Sequence, residues 1–186
     1  MNIFVLDLDV KKCAEYLCDK HLIKQITEHN QILGSIAYSA RGIFKKKNIT
    51  AEFINEIFSD FPRRKNGQTH PYGIGYVHHP CTKWAGESAA NYQWLCELNI
   101  AMCKEYTKRY HKVHKGEAIT NWYSENRPKL IGYGMTKFAQ AMPNDVKDPD
   151  AVKAYRQYYI KHKSYMAKWS RSETPSWYLN GLEKLN

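Results

Sequence analysis

The chain has 186 residues, of which 43% are hydrophobic and 25% charged, a composition typical of a soluble globular protein. This length suits one domain, which we predict to span residues 1–186. The apolar start from Met1 to Leu8 is too short for a signal or membrane segment and already carries Asp7. We therefore expect a cytoplasmic protein that does not enter a membrane.

The net charge of +10 indicates a polyanionic partner, because a basic surface raises the local concentration of phosphates. The basic residues are interleaved with many of the 14 tyrosines and 5 tryptophans, whose rings can stack on bases. We predict DNA as the partner, damaged or modified, in duplex or single-stranded form. The alternative is that the charge serves solubility alone.

The five cysteines are an odd number and contain no CxxC pair, so we expect reduced thiols and no zinc site. We predict no cofactor. The sequence also lacks a P-loop, a dinucleotide-binding glycine fingerprint, a GxSxG elbow and a deaminase zinc signature. These absences disfavour nucleotide hydrolysis and zinc-dependent deamination.

Helical periodicity dominates, and we predict an all-α fold with one short extended segment at residues 3–6. A long helical pattern follows from Asp9 to about Ile43 and ends in a basic turn at Lys45–Lys47. Thr50 is placed to cap a short helix that ends near Phe58. Residues 61–80 hold three prolines and three glycines without periodicity, which predicts a long loop.

The pattern from His78 to Tyr110 predicts one long central helix, because apolar residues occupy two of its faces and both need to be covered. A helix over Glu117–Glu125 follows. Residues 126–149 read as irregular, and a last long helical pattern runs from Asp150 to Trp169.

The most suggestive polar pattern lies within the first long helix. His21, Lys24, Glu28 and Gln31 are spaced three, four and three residues apart and so share a face, with Lys20 beside them. A lysine amine partly removed from water becomes a nucleophile, and a carboxylate one turn away can move protons. The alternative is a solvated face on which Lys24 pairs with Glu28.

Two further groups are predicted to contact phosphate. His78 and His79 stand before the first turn of the central helix, but adjacent side chains diverge, so a metal site is the less favoured interpretation. Arg109, Lys112 and Lys115 form a basic run after the same helix, which could equally be a solvated helix end.

Aromatic neighbours suggest three more contacts. Arg156 stands among tyrosines and is predicted to clamp a phosphate, whereas the tyrosines could instead be core and rim of a terminal helix. Trp84 and Tyr76 are predicted to fill the gap left by a displaced base.

Several segments together resemble a family of small phage and bacterial proteins labelled pyrimidine dimer DNA glycosylase. They are CDKH, HHPCTKW, NYQWLCEL, EYTKRYHKVHK, QAMP, AYRQYY and the PSWY near the end, and they cover nearly the whole chain. The resemblance implies cleavage of the glycosidic bond of a damaged pyrimidine in DNA. Strand scission through an amine-linked intermediate would follow.

The well-known phage enzyme with this activity uses the amine of an N-terminal threonine, with a glutamate beside it. This chain begins Met1-Asn2, so we do not carry that nucleophile over and expect Lys24, or else Lys20, to form the imine. Glu28 would move protons, with His21 in the same catalytic set. Two alternatives stay open: a nucleotide- or base-modifying transferase or hydrolase that holds phosphate on the histidines, and a non-catalytic nucleic-acid-binding protein.

Overall fold

A computed structural model describes residues 2–43, 50–64 and 66–185. Within these ranges the only β pairing is one isolated bridge, so the predicted all-α fold is confirmed. The predicted basic turn at Lys45–Lys47 lies outside the described residues. The helices are α1 Val10–Tyr16, α2 Asp19–Ala40, α3 Ala51–Ile57, α4 Pro80–Glu87, α5 Ala89–Tyr110, α6 Glu117–Glu125, α7 Ala151–His162 and α8 Ser176–Glu183.

The first predicted long helix is broken between α1 and α2, where Leu17 and Cys18 have extended backbones. The break leaves polar backbone groups that need partners. Asp19 N donates to the Lys168 carbonyl at 2.9 Å, and Arg109 Nη1 donates to the Leu17 carbonyl at 2.9 Å. Because these partners come from distant parts of the chain, the local pattern did not reveal the break.

The second predicted long helix is also broken, at Ser88, so one helix over His78–Tyr110 is wrong. Ser88 has φ −145° and ψ 158°, and its hydroxyl accepts a hydrogen bond from Asn91 N at 3.1 Å. Ala89 N donates to the Gly132 carbonyl at 2.7 Å. The side chain of Ser88 therefore caps α5, while a distant loop satisfies the next amide.

Helix α5 lies at the centre, as its two apolar faces predicted. It packs against α1, α2, α4 and α6. Buried residues come from both predicted faces: Leu95, Leu98 and Met102 from one, Tyr92, Cys96 and Cys103 from the other.

The segment at residues 3–6 is buried between α2 and α7 and ends in a tight turn, in which Leu6 N donates to the Phe4 carbonyl at 3.1 Å. Phe4 stacks on His21 of α2 with ring centroids 4.2 Å apart and meets Tyr159 of α7 edge-on at 5.2 Å. Helix α7 ends at His162, earlier than the predicted Trp169. The chain start is therefore held against the helix that carries the polar stripe.

Other features agree with what short sequence patterns predict. The Thr50 hydroxyl accepts from Phe53 N at 3.2 Å, so the predicted cap of α3 is confirmed. All five cysteines are buried with free thiols. No helix in the described ranges combines the length and hydropathy needed to cross a membrane.

Candidate functional site

The polar face of α2 carries an amine and a carboxylate in contact. Lys24 Nζ lies 3.1 Å from Glu28 Oε1, one helical turn away. The Lys24 side chain keeps 74% of its surface exposed, whereas the Glu28 side chain keeps 14%. Lys20 is exposed one turn earlier. The burial expected for the Lys24 amine is therefore not found in the free protein, because this side chain turns toward solvent.

His21 lies in the core beside this pair, and its place in the catalytic set stays a prediction. Its ring is 9% exposed, stacks on Phe4, and has Nδ1 2.5 Å from the Tyr159 hydroxyl. Burial lowers the pKa of His21 to about 3, and the charges of Lys163 and Lys24 act in the same direction. The residue stays neutral near pH 7 and is part of the core.

A second histidine, which the sequence analysis missed, lies behind Glu28. His29 is fully buried, and neither ring nitrogen meets a described partner with hydrogen-bonding distance and angle. Burial lowers the pKa of His29 to about 4, while the Glu28 charge opposes that shift. The only sequence signal was its place next to Glu28, on the apolar side of α2.

His79 connects this cluster to the start of α4. Its Nδ1 accepts from Cys81 N at 3.2 Å, which makes His79 the N-cap of that helix. Burial lowers the pKa of His79, as does the positive charge of the amino terminus, whereas Glu28 raises it. His78 is exposed beside it. The fold thus brings the helix entrance and the α2 stripe, predicted as separate groups, into one electrostatic environment.

Asn2 lies against the same cluster. Its side-chain oxygen accepts from Cys81 Sγ at 3.7 Å, and its Nδ2 donates to the Ala141 carbonyl at 3.0 Å. The amino terminus also contributes to lowering the pKa of His29. In the described ranges, no three His, Cys, Asp or Glu side chains are grouped as metal ligands.

A basic groove of about 370 Å³ begins at Thr27 on α2. Arg64 and Lys115 line it, and the Arg64 guanidinium lies 4.1 Å from the centroid of the Tyr72 ring. Lys112 and Lys115 are exposed, as phosphate contacts need to be, and their role stays a prediction. Arg64 was missed because the loop pattern of residues 61–80 does not say which of its cations faces α2.

A second groove of about 410 Å³ begins two turns further along α2, at Ser35 and Ser39. Ser35 lies roughly 10 Å beyond Glu28 along the helix axis. Lys83 and Ile131 also line it. Both grooves therefore open beside the helix that carries Lys24 and Glu28.

The predicted phosphate contact of Arg109 is wrong. Its side chain has no exposed surface and donates to Glu105 Oε1 at 2.7 Å. It also donates to the carbonyls of Leu17 and Glu15 at 2.9 and 2.8 Å, and lies 3.4 Å from Asp19 Oδ1. All of these partners belong to the protein, so Arg109 stabilises the break between α1 and α2.

Arg156 has protein partners but keeps 29% of its side chain exposed, so its predicted phosphate clamp stays a prediction. Its Nε donates to the Leu6 carbonyl at 2.9 Å, and its Nη2 lies 3.3 Å from Asp7 Oδ2. The guanidinium lies over the Tyr16 and Trp177 rings at 5.5 and 5.3 Å. Arg156 ties the N-terminal segment to α7.

The two predicted base-stacking residues differ. Trp84 is 4% exposed, with Trp94 and Phe138 packed against its ring at 5.9 and 4.9 Å, so the prediction that it stacks on a base is wrong. Tyr76 is 65% exposed and has φ +55°, a conformation that a bulky residue rarely adopts. Its contact with a base stays a prediction.

Together these features define a basic, α-helical protein with an amine–carboxylate pair on an exposed helix face. The chain belongs to the family described as pyrimidine dimer DNA glycosylase, whose model matches residues 1–117. The resemblance inferred from the motifs is thereby confirmed, and at family level the protein is a DNA repair glycosylase whose substrate is DNA. No curated protein and no solved structure matches the chain. The matched range includes Lys24, Glu28 and His79 but not α7, α8 or the loop before them.

Proposed function

We propose that this protein excises damaged pyrimidines from DNA through an imine on Lys24, with Glu28 as the proton-transfer group. The observation that carries this proposal is the 3.1 Å contact between the exposed Lys24 amine and the Glu28 carboxylate on the polar face of α2. A nucleophilic amine and its acid–base partner need to be within hydrogen-bonding reach. The low exposure of Glu28 also limits the water that competes for its carboxylate.

The chemistry needs a free amine, a leaving base and a group that can both take up and return protons. The Lys24 amine, after giving a proton to Glu28, attacks C1′ of the damaged nucleotide. The bond between nitrogen and C1′ forms as the glycosidic bond breaks, and the base leaves with that electron pair and takes up the proton that the attacking nitrogen loses. Glu28 then returns its proton to O4′ as the C1′–O4′ bond opens, which gives the protonated imine and leaves Glu28 ionised. Loss of a C2′ proton to Glu28 then expels the 3′ phosphate, and water hydrolyses the imine.

The exposure of Lys24 is compatible with this chemistry because the substrate itself can cover the amine. DNA held by Arg64 and Lys115 would run past α2 and displace water from Lys24. A partly desolvated amine loses its proton more easily. In this proposal the amine is open to solvent in the free protein, and substrate binding activates it.

Borohydride trapping on abasic-site and ultraviolet-irradiated DNA tests the proposal and separates Lys24 from Lys20. We expect a covalent adduct on a peptide that contains Lys24. The adduct should disappear in Lys24→Arg and persist in the matched control Lys20→Arg. Loss of the adduct in Lys20→Arg, with the adduct kept in Lys24→Arg, would move the nucleophile to Lys20.

The remaining alternatives give different results in the same assay. Release of a modified nucleotide without any trapped adduct would favour the transferase or hydrolase that holds phosphate on His78 and His79. DNA binding without any change in the DNA would favour a non-catalytic binding protein. Either result would refute the imine.

A further inference from the structure

Residues 127–137 form an irregular segment between α6 and α7, with bends at Ile131 and Gly134, outside the range matched by the family model. Exposure alternates along it except at Gly134, which is exposed as well. We call its exposed, odd-numbered side chains the outward row. The row consists of Arg127, Lys129, Ile131, Tyr133, Met135 and Lys137.

The segment and the residue after it are anchored on their inner side. Thr136 N donates to Asn91 Oδ1 at 3.0 Å, and Asn91 Nδ2 donates to Thr136 Oγ1 at 2.7 Å. Phe138 packs between Trp84 and Trp94 at 4.9 and 4.8 Å. These contacts place the backbone on the α4–α5 junction, so the outward row does not fold back onto the protein.

Gly132 lets this backbone approach closely. Its carbonyl accepts from Ala89 N at 2.7 Å, and a Cβ at this position would lie 2.6 Å from the Glu87 carbonyl oxygen. Such a distance is far below van der Waals contact, so a side chain would push the segment away. The glycine therefore determines which residues on either side face solvent.

The outward row exposes apolar surface of the kind that marks an interaction site. Ile131 is 97% exposed, Tyr133 85% and Met135 48%. Three such neighbours on an anchored backbone keep apolar area in water unless a partner covers it. A partner is therefore expected at this surface.

The charges of the row indicate which partner it is. Arg127, Lys129 and Lys137 flank the apolar residues, and no ion pair within the described residues includes them. Unstacked nucleic acid offers both complements, phosphates for the cations and base faces for Ile131 and Tyr133. An apolar protein surface or a second copy of this basic chain would leave the cations without counter-charges.

The row also lies on the same surface as the proposed site. Lys129 and Ile131 line the groove that begins at Ser35 and Ser39. Those serines continue the face of α2 that carries Glu28, since residues seven apart share a helix face. The loop at Gly75 covers this face at Ser35, which is 1% exposed and donates to the Gly75 carbonyl at 2.6 Å. A DNA strand that reaches Glu28 would therefore cross this loop before it meets Ile131.

We propose that residues 127–137 are a DNA-contact element that holds unstacked bases on Ile131 and Tyr133 while the flanking cations contact phosphates. This inference rests on the proposed function, because it takes DNA as the substrate. It adds a source of selectivity, since a lesion that weakens stacking would expose the bases that the row binds. Affinity should then be greater for distorted than for intact duplex.

The test measures binding of the full-length protein to an abasic-site duplex and to its intact counterpart. The variant Ile131→Ser/Tyr133→Ser should bind the abasic-site duplex about tenfold more weakly, the loss expected when one stacked base is given up. Its affinity for the intact duplex should change much less. The control Leu8→Ser/Leu185→Ser also removes two exposed apolar side chains and should bind like the wild type.

The cations are tested through the salt dependence of the same binding. Replacing Arg127, Lys129 and Lys137 with glutamine should lower the log–log salt slope by about three, one for each phosphate that is no longer neutralised. An unchanged slope would remove the phosphate contacts from the proposal.

The outcomes separate this inference from the proposed function. Unchanged affinity of Ile131→Ser/Tyr133→Ser, with wild-type DNA cleavage intact, overturns the inference and leaves the glycosylase proposal standing. A wild-type protein that binds no DNA removes both. If the double variant alters only self-association or binding to anionic vesicles, the row serves a protein or membrane contact and the inference is wrong.

Discussion

Two ion pairs with the same spacing occupy opposite environments in this protein. Lys24 and Glu28 on α2 are 3.1 Å apart, with 74% and 14% of their side chains exposed. Arg109 and Glu105 on α5 are 2.7 Å apart, with 0% and 6% exposed. Both are pairs of opposite charge four residues apart, so local sequence does not distinguish them.

The two cations differ in how many of their hydrogen-bond donors are already used by protein partners. Arg109 uses its donors on Glu105, on two backbone carbonyls and on Asp19, so a phosphate would have to compete with four protein partners. Lys24 contacts Glu28 and keeps most of its surface in water. A cation in this protein is a candidate for binding or chemistry only where the fold leaves its donors free.

The largest effect is expected from breaking the buried pair. Arg109→Ala should lower the free energy of unfolding by about 3–5 kcal/mol, because Glu105 is left as a buried charge without its partner. Lys24→Ala should change it by less than about 1 kcal/mol, since a surface pair contributes little. Urea denaturation of both variants measures the difference. Equal losses would contradict the contrast between the two pairs.

The exposed pair should instead respond in activity. Glu28→Gln is expected to slow excision on abasic or damaged DNA by on the order of a hundredfold or more, the size typical for loss of an acid–base group. Its unfolding curve should stay close to that of the wild type. Glu97→Gln, which removes an exposed carboxylate from α5, is the matched control and should retain activity. Full activity of Glu28→Gln would show that Glu28 is not the acid–base group.

The buried histidines are expected to make the free energy of unfolding depend on pH. The pKa of His29 is lowered to about 4 in the folded protein, whereas the unfolded chain binds that proton near its ordinary value of 6.5. Below that value the unfolded state holds more protons, so stability is lost as pH falls. Between pH 7.5 and pH 5 His29 should account for about 2 kcal/mol of unfolding free energy.

Urea denaturation at these two pH values measures that loss. His29→Gln should show a flatter pH dependence than the wild type, whatever its absolute stability. His78→Gln, at an exposed position, should leave the dependence as it is. The pKa of His21 is lowered as well, so His21 accounts for the pH dependence of stability that remains in His29→Gln. A pH dependence unaltered by His29→Gln would contradict the buried neutral ring.

The smallest effect concerns single phosphate contacts. Lys115→Gln should lower the log–log salt slope of DNA binding by about one unit, because Lys115 lines the basic groove beside Thr27. Lys11→Gln removes the same charge from the exposed surface of α1 and should leave the slope unchanged. Equal slopes for Lys115→Gln and wild type would remove this groove from the DNA path.

Patterns that depend on near neighbours could be predicted from the sequence. The helix over Glu117–Glu125, the Thr50 cap and the loop character of the described part of residues 61–80 agree with the structure. The helix breaks at Leu17 and Ser88 could not be predicted, because the groups that satisfy their backbones come from Lys168, Arg109 and Gly132.

The candidate site also contains features that the sequence could predict and features that it could not. The contact between Lys24 and Glu28 follows from helical geometry and was predicted as one alternative. The position of His21 was misjudged because it lies at the edge of the stripe, where a small rotation of the helix separates core from solvent. The burial of Trp84 and the protein partners of Arg156 could not be predicted, because Phe138 and Leu6 are far away from them in the chain.

The sequence by itself determined the all-α class, the basic charge, the family and the proximity of Lys24 to Glu28, since composition, motifs and i,i+4 spacing are local properties. Only the tertiary structure decided which cations are free, which histidines are neutral and which loop residues face outward. Burial of Arg109 and His21 and exposure of Ile131 depend on which distant segments pack against them. Those packing partners are selected by the whole fold, and no local pattern encodes them.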